Sequence, residues 1–205
     1  MELSAVAINC SLKAKSDEPS STDSMIKIIA DALAQHGVSL TETIRIAQQN
    51  ILPGVTSDEG PSDAWPDVRR RILSADILIF GTPIWLGQPS SLAKRVLERM
   101  DAFFGEMDGR GRTPAFGKIA VAAIVGNEDG AHHVTAELFQ ALNDVGWTIP
   151  AMASCYWVGE AMHKTNFNEM KPVPKEVCEL ASGLAASAAH LAKALADRAY
   201  PGREP

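Results

Sequence analysis

At 205 residues the chain can bury one full core and is short for two, given domains of roughly 100 to 150 residues, so one domain over 1–200 with a short disordered tail at 201–205 is expected. Hydrophobic residues at 46% and charged residues at 21% are ordinary for a soluble globular protein and exclude a disordered chain. The 25 acids against 19 bases give a net charge of −6, which leaves no electrostatic footprint for nucleic acid or an anionic membrane.

Leu3 to Asn9 is an apolar run of strand length. Met25, Ile26, Ile29, Ala32 and Leu33 then fall on one helical face, with Gly37 placed as a C-cap. The loop between them, Cys10 to Ser24, is crowded with hydroxyls. It ends at a helix N-terminus, where free N–H groups and the positive end of the helix dipole make a cradle for a phosphate. Ser20, Ser21 and Thr22 also suit an N-cap, and one of them is expected to be one.

Val38 to Ile44 alternates apolar and polar, the pattern of an edge strand with one wet face. Gln48 to Asp63, with Pro53, Gly54, Gly60 and Pro61, reads as loop. Trp65 to Leu73 makes a short helix with Trp65, Val68 and Ile72 on one side. Arg69, Arg70 and Arg71 are expected to be a solvated face rather than a binding patch.

Ala75 to Gly81 is the continuous apolar run of a strand buried on both faces. Thr82 to Gln88 reads as a seven-residue loop with Ile84 and Trp85 at its tip. A tryptophan at a loop tip points to a wall for a flat, partly apolar ligand. Pro89 suits the first position of the next helix, which Leu92, Ala93, Val96, Leu97, Met100, Phe103 and Phe104 continue at helical spacing.

Gly105 to Pro114 is a flexible polar connection, and Ile119 to Val125 is a second fully buried strand. Gly126, Asn127, Glu128, Asp129 and Gly130 follow as a turn on the same rim as the two loops above. They lead into a helix over Ala131 to Val145. His132 and His133 at its start read as ordinary polar residues, since His133 with Glu137 supplies two zinc ligands and no third.

Pro150 to Trp157 reads as the last strand, Glu160 to Pro174 as an irregular lid or partner contact, and Val177 to Ala199 as an amphipathic helix. Five strands alternating with helices specify a doubly wound α/β sheet of order 2-1-3-4-5 with helices on both faces. Ligands of such sheets lie beyond the strand carboxyl ends, where the winding reverses.

Cys10, Cys155 and Cys178 are far apart and form no Cys-x-x-Cys pair, so neither a disulfide framework nor a metal site is expected. The first residues carry no basic n-region and no apolar run reaches membrane length, so the expected location is cytoplasmic.

The run Gly81-Thr-Pro-Ile-Trp-Leu-Gly-Gln-Pro-Ser-Ser-Leu-Ala-Lys-Arg95 resembles the ring-binding loop and helix of flavodoxin-like NAD(P)H-dependent FMN reductases and multimeric flavodoxin quinone reductases. The resemblance covers Ala5 to Trp157. The segment from Cys10 resembles that family's phosphate loop, with Ser11 on its serine, Lys13 on its basic position, and Ser20, Ser21 and Thr22 at its end. It departs in having Cys10 for the usual glycine and a longer loop in which Asp17, Glu18 and Asp23 add negative charge.

The resemblance implies FMN as cofactor, NAD(P)H as electron donor and a quinone, flavin or other aromatic acceptor. Ser11, Lys13, Ser20, Ser21 and Thr22 would hold the phosphate. Thr82, Pro83, Ile84, Trp85, Leu86 and Gly87 would frame the ring. Gly126, Asn127, Glu128, Asp129 and Gly130 would serve the pyrimidine end, with the backbone N–H groups of Gly126, Asn127 and Gly130 as donors. The chemistry asks for no side-chain acid, base or nucleophile, so no catalytic residue and no metal is assigned.

Two rivals remain at this level: an electron-carrying flavodoxin, and a flavin-free binding or scaffold protein on the same fold. Against the carrier, the first loop lacks a Thr-Gly-x-Thr pattern, and Trp85 and Trp157 offer stacking surfaces for a second planar ring. A homodimer or homotetramer is expected, because nothing in the single domain covers the open flavin face. The candidate interface material is Phe103-Phe104, the 105–116 connection and Glu160 to Met170.

Overall fold

The computed structural model describes residues 2–15, 17–160 and 163–203. Strands β1 (Leu3–Asn9), β2 (Val38–Arg45), β3 (Ile77–Trp85), β5 (Ile119–Gly126) and β6 (Ser154–Val158) form a parallel sheet in the order β2-β1-β3-β5-β6. The two-residue β4 (Gln88–Pro89) pairs antiparallel with β3 alone. With β4 set aside, the order is the 2-1-3-4-5 read from the strand pattern. The winding reverses between β1 and β3, which run in register from Ala5↔Ile77 to Asn9↔Gly81.

Alternate residues of the central strands face opposite helical layers. Val6, Ile8, Leu78, Phe80, Ala120, Ala122 and Ile124 pack against α2 (Trp65–Ser74), α3 (Ser91–Met100) and α4 (Ala131–Asp144). Ala5, Ala7, Ile77, Ile79, Val121 and Ala123 pack against α1 (Ser21–Ala34) and α5 (Lys175–Asp197). Met25, Ile26, Ile29 and Leu33 supply the buried stripe of α1, each such side chain contributing about 1.5–3 kcal/mol on burial. Gly81 lets α1 close on the sheet, since a Cβ there would lie 2.7 Å from Ile26 and 2.8 Å from Thr22. Among the described residues no helix is long and apolar enough to cross a membrane.

The structure corrects several expectations. β3 does not stop at Gly81 but runs to Trp85, turns through Leu86 and Gly87, and returns as β4. Thr82 to Gln88 is therefore a hairpin rather than an open loop. Pro89 belongs to β4, and the N-cap of α3 is Ser90, whose Oγ accepts from Ala93 N–H at 3.1 Å. Proline fits that short edge because its missing N–H leaves no inner ladder bond broken. The helix ends at Met100 and continues as a 3-10 segment over Asp101–Glu106, which buries Phe103 and leaves Phe104 44% exposed.

The Arg69–Arg71 run is not a free solvated face. Arg69 pairs with Glu106 and Arg71 with Glu42, both through tertiary contacts that sequence spacing does not reveal. The last strand begins at Ser154 rather than Pro150, after a turn in which Met152 has φ of +60°. Ala161 and Met162, within the Glu160 to Pro174 segment, lie outside the described residues, and Phe167–Glu169 forms a short 3-10 turn. Of the tail, Arg203 N–H donates to the Arg110 carbonyl at 2.9 Å, and Glu204 and Pro205 lie outside the described residues.

Candidate functional site

At the carboxyl end of the sheet, beside the β1/β3 reversal, lies a cleft of about 290 Å³. Its polar end is built from the β1–α1 loop: Ser11, Leu12, Lys13, Ser20, Ser21 and Thr22. Ser20 is the α1 N-cap, its Oγ accepting from Asp23 N–H at 3.4 Å. Asn9, at the last position of β1, organises the loop from beneath. Its Oδ1 accepts the Ser11 N–H at 2.8 Å, and its Nδ2 donates to Ser20 Oγ at 3.3 Å. Ser20 Oγ in turn donates to Ser11 Oγ at 3.4 Å. Asn9, Ser11, Ser20 and Thr22 are all buried, so the hydroxyls stand in a fixed arrangement.

Two of the acids of this loop, Asp23 and Glu18, are answered locally, while Asp17 is exposed to solvent. Asp23 is held by Asn9 Nδ2 and by Arg45, which reaches over from the end of β2 to bond the Lys15 and Glu18 carbonyls as well. Lys13 Nζ donates to the Pro19 carbonyl at 2.6 Å and lies 3.6 Å from Glu18. The net effect is a donor-rich pocket at a helix N-terminus, beside which Asp23 and Glu18 are already paired. That donor set fits a phosphate: the Ser11 and Thr22 hydroxyls, with Ser20 donating to Ser11 and Ser21 to Asn168 Oδ1 at 3.0 Å, the Ser21 and Thr22 N–H groups at the start of α1, and the positive end of the dipole.

The opposite end is apolar and aromatic. Pro83, Ile84 and Trp85 from the β3 hairpin, Val125 and Gly126 from β5, Trp157 from β6, and Phe167 line it, with Asn127, Glu128 and Asn166 at the margin. Trp157 and Phe167 pack with ring centroids 5.4 Å apart. Gly159 is needed where the Trp157 ring lies over it, since a Cβ there would sit 2.7 Å from that ring. Hydroxyls at one end and flat apolar walls at the other have the shape and chemistry to suit a phosphorylated ring compound.

The cleft thus gathers Ser11, Lys13, Ser20, Ser21, Thr22, Pro83, Ile84, Trp85, Gly126, Asn127 and Glu128 from among the residues picked out in the sequence. Five others stand apart from its lining. Thr82 is fully buried and accepts the Ser90 N–H at 3.1 Å, so it anchors the hairpin base. Leu86 and Gly87 form the turn beyond the mouth, Asp129 Oδ1 accepts its neighbour's Gly130 N–H, and Gly130 packs behind Gly87. Ile84 touches the cleft yet is 3% exposed and part of the core, so of the Ile84–Trp85 pair only Trp85 forms an exposed wall.

Asn9 and Arg45 escape sequence reasoning because each serves through a partner distant along the chain. Asn166 and Phe167 sit in a segment whose irregular sequence gives no period; only its aromatic residue hinted at a packing role. Cys10, directly below the loop, is buried, and burial pushes its thiol well above the usual range, which leaves it inert. His133 Nε2 lies 2.9 Å from Gln88 Nε2 and 2.8 Å from Glu137 Oε1, and His132 Nε2 lies 3.0 Å from the Tyr156 hydroxyl. Both histidines are thus engaged as polar surface groups. Among the described residues no cluster of three metal-ligating side chains occurs.

Sheet order and rim cleft define a flavodoxin-like α/β protein with a site at the topological switch point. Residues 3–162 match the family of NADPH-dependent FMN reductases, and the chain belongs to that family. A crystal structure of RosB with a bound intermediate, 8-demethyl-8-formylriboflavin-5'-phosphate, superposes with a TM-score of 0.86 at 29% identity, over 97% of this chain and 82% of that one. The 8-demethyl-8-aminoriboflavin-5'-phosphate synthase of Streptomyces davaonensis is 29% identical over 211 residues, 98% of this chain and 81% of that protein. The divalent metal cation transporter MntH of Mycobacterium bovis is 38% identical over 163 residues, 78% of this chain, and the chain spans 24% of that protein's length.

Proposed function

We propose that the chain is an FMN-dependent oxidoreductase that takes electrons from NAD(P)H and delivers them to a quinone, flavin or other aromatic acceptor. One observation carries this reading: a single cleft joins a buried hydroxyl cluster at a helix N-terminus to a slot walled by Pro83, Trp85 and Trp157, in a member of the FMN reductase family. Ser11, Ser20, Ser21 and Thr22 would hold the phosphate, and Pro83 to Trp85 with Gly126 and Asn127 would border the ring. When bound, FMN supplies the hydride acceptance and electron delivery that no side chain here offers.

The chain's own residues bind, orient and exclude water. Asn9 fixes the hydroxyl geometry so that little ordering remains to be done on binding. Ile84, Val125 and Phe167 keep the inner wall dry. The first test is addition of FMN to the purified protein: quenching of flavin fluorescence, followed by NAD(P)H oxidation coupled to a quinone, is expected. Binding without steady oxidation would indicate an electron carrier, and failure to bind FMN would leave only a scaffold role. Replacing Ser21 and Thr22 together with Ala should weaken FMN far more than riboflavin, since a hydrogen bond to a charged group contributes about 1.5–3 kcal/mol. Equal weakening would remove both from the phosphate end.

A second reading has its own support in the TM-score of 0.86 to a protein holding a riboflavin 5'-phosphate derivative. On that reading the cleft holds the flavin as a substrate to be altered. Mass spectrometry of the flavin recovered after turnover separates the two: unchanged FMN supports the oxidoreductase.

We also infer self-association, as a homodimer or homotetramer in the cytoplasm, with the mouth of the cleft near the interface. Phe103 drops out as interface material, being fully buried, while Phe104, Met107 and Phe116 remain partly exposed and support self-association; Phe116, with Glu106 and Asp108 beside it, lies at the amino end of β5 and does not itself support an interface at the cleft mouth.

A further inference from the structure

Just beyond the mouth of the cleft, next to Trp85 of its lining, one residue carries two local costs. Leu86 has φ of +52°, in the left-handed region that disfavours a Cβ, and its side chain is 90% exposed. With Gly87 at +74°, the pair forms a tight hairpin turn in which Asn or Gly would avoid both the strain and the exposed apolar surface. Trp85, the preceding residue, is 54% exposed.

The tip is nevertheless held firmly. Glu128 Oε1 accepts the Leu86 N–H at 2.9 Å. Gly130 lies so close that a Cβ on it would be 2.8 Å from Gly87 Cα. Gln88 is tied to His133 across to α4. Strain maintained by surrounding contacts, with apolar surface turned outward beside a ligand cleft, is the signature of a binding device.

Glu128 gives the device its chemistry. It is half-buried and is the one carboxylate among the described residues lining the cleft. No described cation pairs with it. Lys94 is drawn to Glu137 at 2.6 Å, and Lys13 to the Pro19 carbonyl and Glu18. His133 faces Glu137, His132 faces Tyr156, and the neighbouring Asp129 adds charge of the same sign.

Resting on the flavin reading for what fills the cleft, we propose that Trp85 and Leu86 form the seat of the electron-accepting ring, and that Glu128 makes this seat selective for neutral or cationic rings over anionic ones. An unpaired carboxylate beside an apolar shelf repels a nearby anion with less screening than bulk water would provide. A neutral ring feels only the shelf.

The test uses two naphthoquinones of equal ring size, one uncharged (menadione) and one bearing a sulfonate (1,2-naphthoquinone-4-sulfonate). Both are titrated into the full-length protein with and without FMN, reading quenching of tryptophan fluorescence, with Trp85→Phe assigning the signal to the tip. Glu128→Gln keeps an oxygen for the Leu86 N–H and removes only the charge. It should tighten the sulfonate by about 3- to 10-fold and leave menadione within about twofold. Leu86→Gly, which suits the positive φ, should weaken both quinones without lowering the urea midpoint. In the wild type, added salt should narrow the gap between the two quinones, a readout that needs no variant. Equal shifts of both quinones in Glu128→Gln, or no shift of either, overturn the proposal. Failure to bind FMN would overturn the flavin reading instead, because quenching by the quinones is measured without turnover.

Discussion

A buried ion pair and an exposed tryptophan show how differently single residues hold this protein together. The Arg99 and Asp63 side chains are fully shielded and lie 2.7 Å apart, and Arg99 also donates to the carbonyls of Leu52 and Thr56. Burial by itself would raise the Asp63 carboxyl. Hydrogen bonds from Arg99 and from the N–H groups of Glu59, Trp65 and Leu52 outweigh it and hold the group at about 2. Because this lies below the ordinary carboxylate value of roughly 3.9, the contribution to stability is complete above about pH 4 and is lost as pH falls toward 2. Asp63→Asn should cost about 3–5 kcal/mol at neutral pH, since it strands a buried guanidinium. Urea unfolding between pH 4 and 2 should then show a shallower acid limb than wild type; an unchanged limb would remove Asp63 as its source. Trp85→Ala, by contrast, should change folding stability by less than about 1 kcal/mol, whereas truncating a core tryptophan such as Trp65 costs about 3–5 kcal/mol. Matching losses in the two variants, read from denaturant midpoints, would show that Trp85 is a packing residue.

The elements around the cleft are fastened to one another at their ends. Ser90 joins three of them: its Oγ caps α3, that same Oγ donates to the Cys10 carbonyl at 2.6 Å after β1, and its N–H donates to Thr82 on β3. Ser90→Ala should therefore cost about 1–2 kcal/mol, toward the upper end for a cap, as a buried carbonyl loses its donor. Gly130 starts α4 with φ of +127° against Gly87, so Gly130→Ala should both strain the helix start and push the β3–β4 hairpin outward. The expected outcome is a loss of about 1–3 kcal/mol together with a changed Trp85 emission. Lost stability with Trp85 emission unchanged would mean the hairpin does not rest on that glycine.

For the molecule as a whole, the proposed self-association depends on apolar surface near the 3-10 segment after α3 and the connection beyond it. Phe104, Met107 and Phe116 are exposed by 44%, 38% and 37%. Light scattering should give at least twice the chain mass, and Phe104→Asp should lower it without altering the thermal midpoint of the fold itself. A wild-type monomer would withdraw the interface and leave the cleft mouth to be covered by substrate alone.

The sequence by itself determined the layers. Period-two and continuous apolar runs mark each strand, helical stripes such as Met25, Ile26, Ile29 and Leu33 mark the packing faces, and a hydroxyl-rich loop after β1 marks the switch point. These signals are local, because burial acts on residues spaced by the period of their own element. Tertiary structure alone decided the rest. Thr82 to Gln88 has the composition of a loop and becomes a hairpin only because Glu128, Gly130 and Ser90 hold it from other elements. Ile84 and Trp85 are adjacent, and alternation along a strand sends one into the core and the other to the mouth. Arg69 and Arg71 found partners in Glu106 and Glu42, and Asp23 found Arg45, across separations that no sequence period encodes. Such contacts depend on where whole elements come to rest, which is settled by the packing of both helical layers on the sheet.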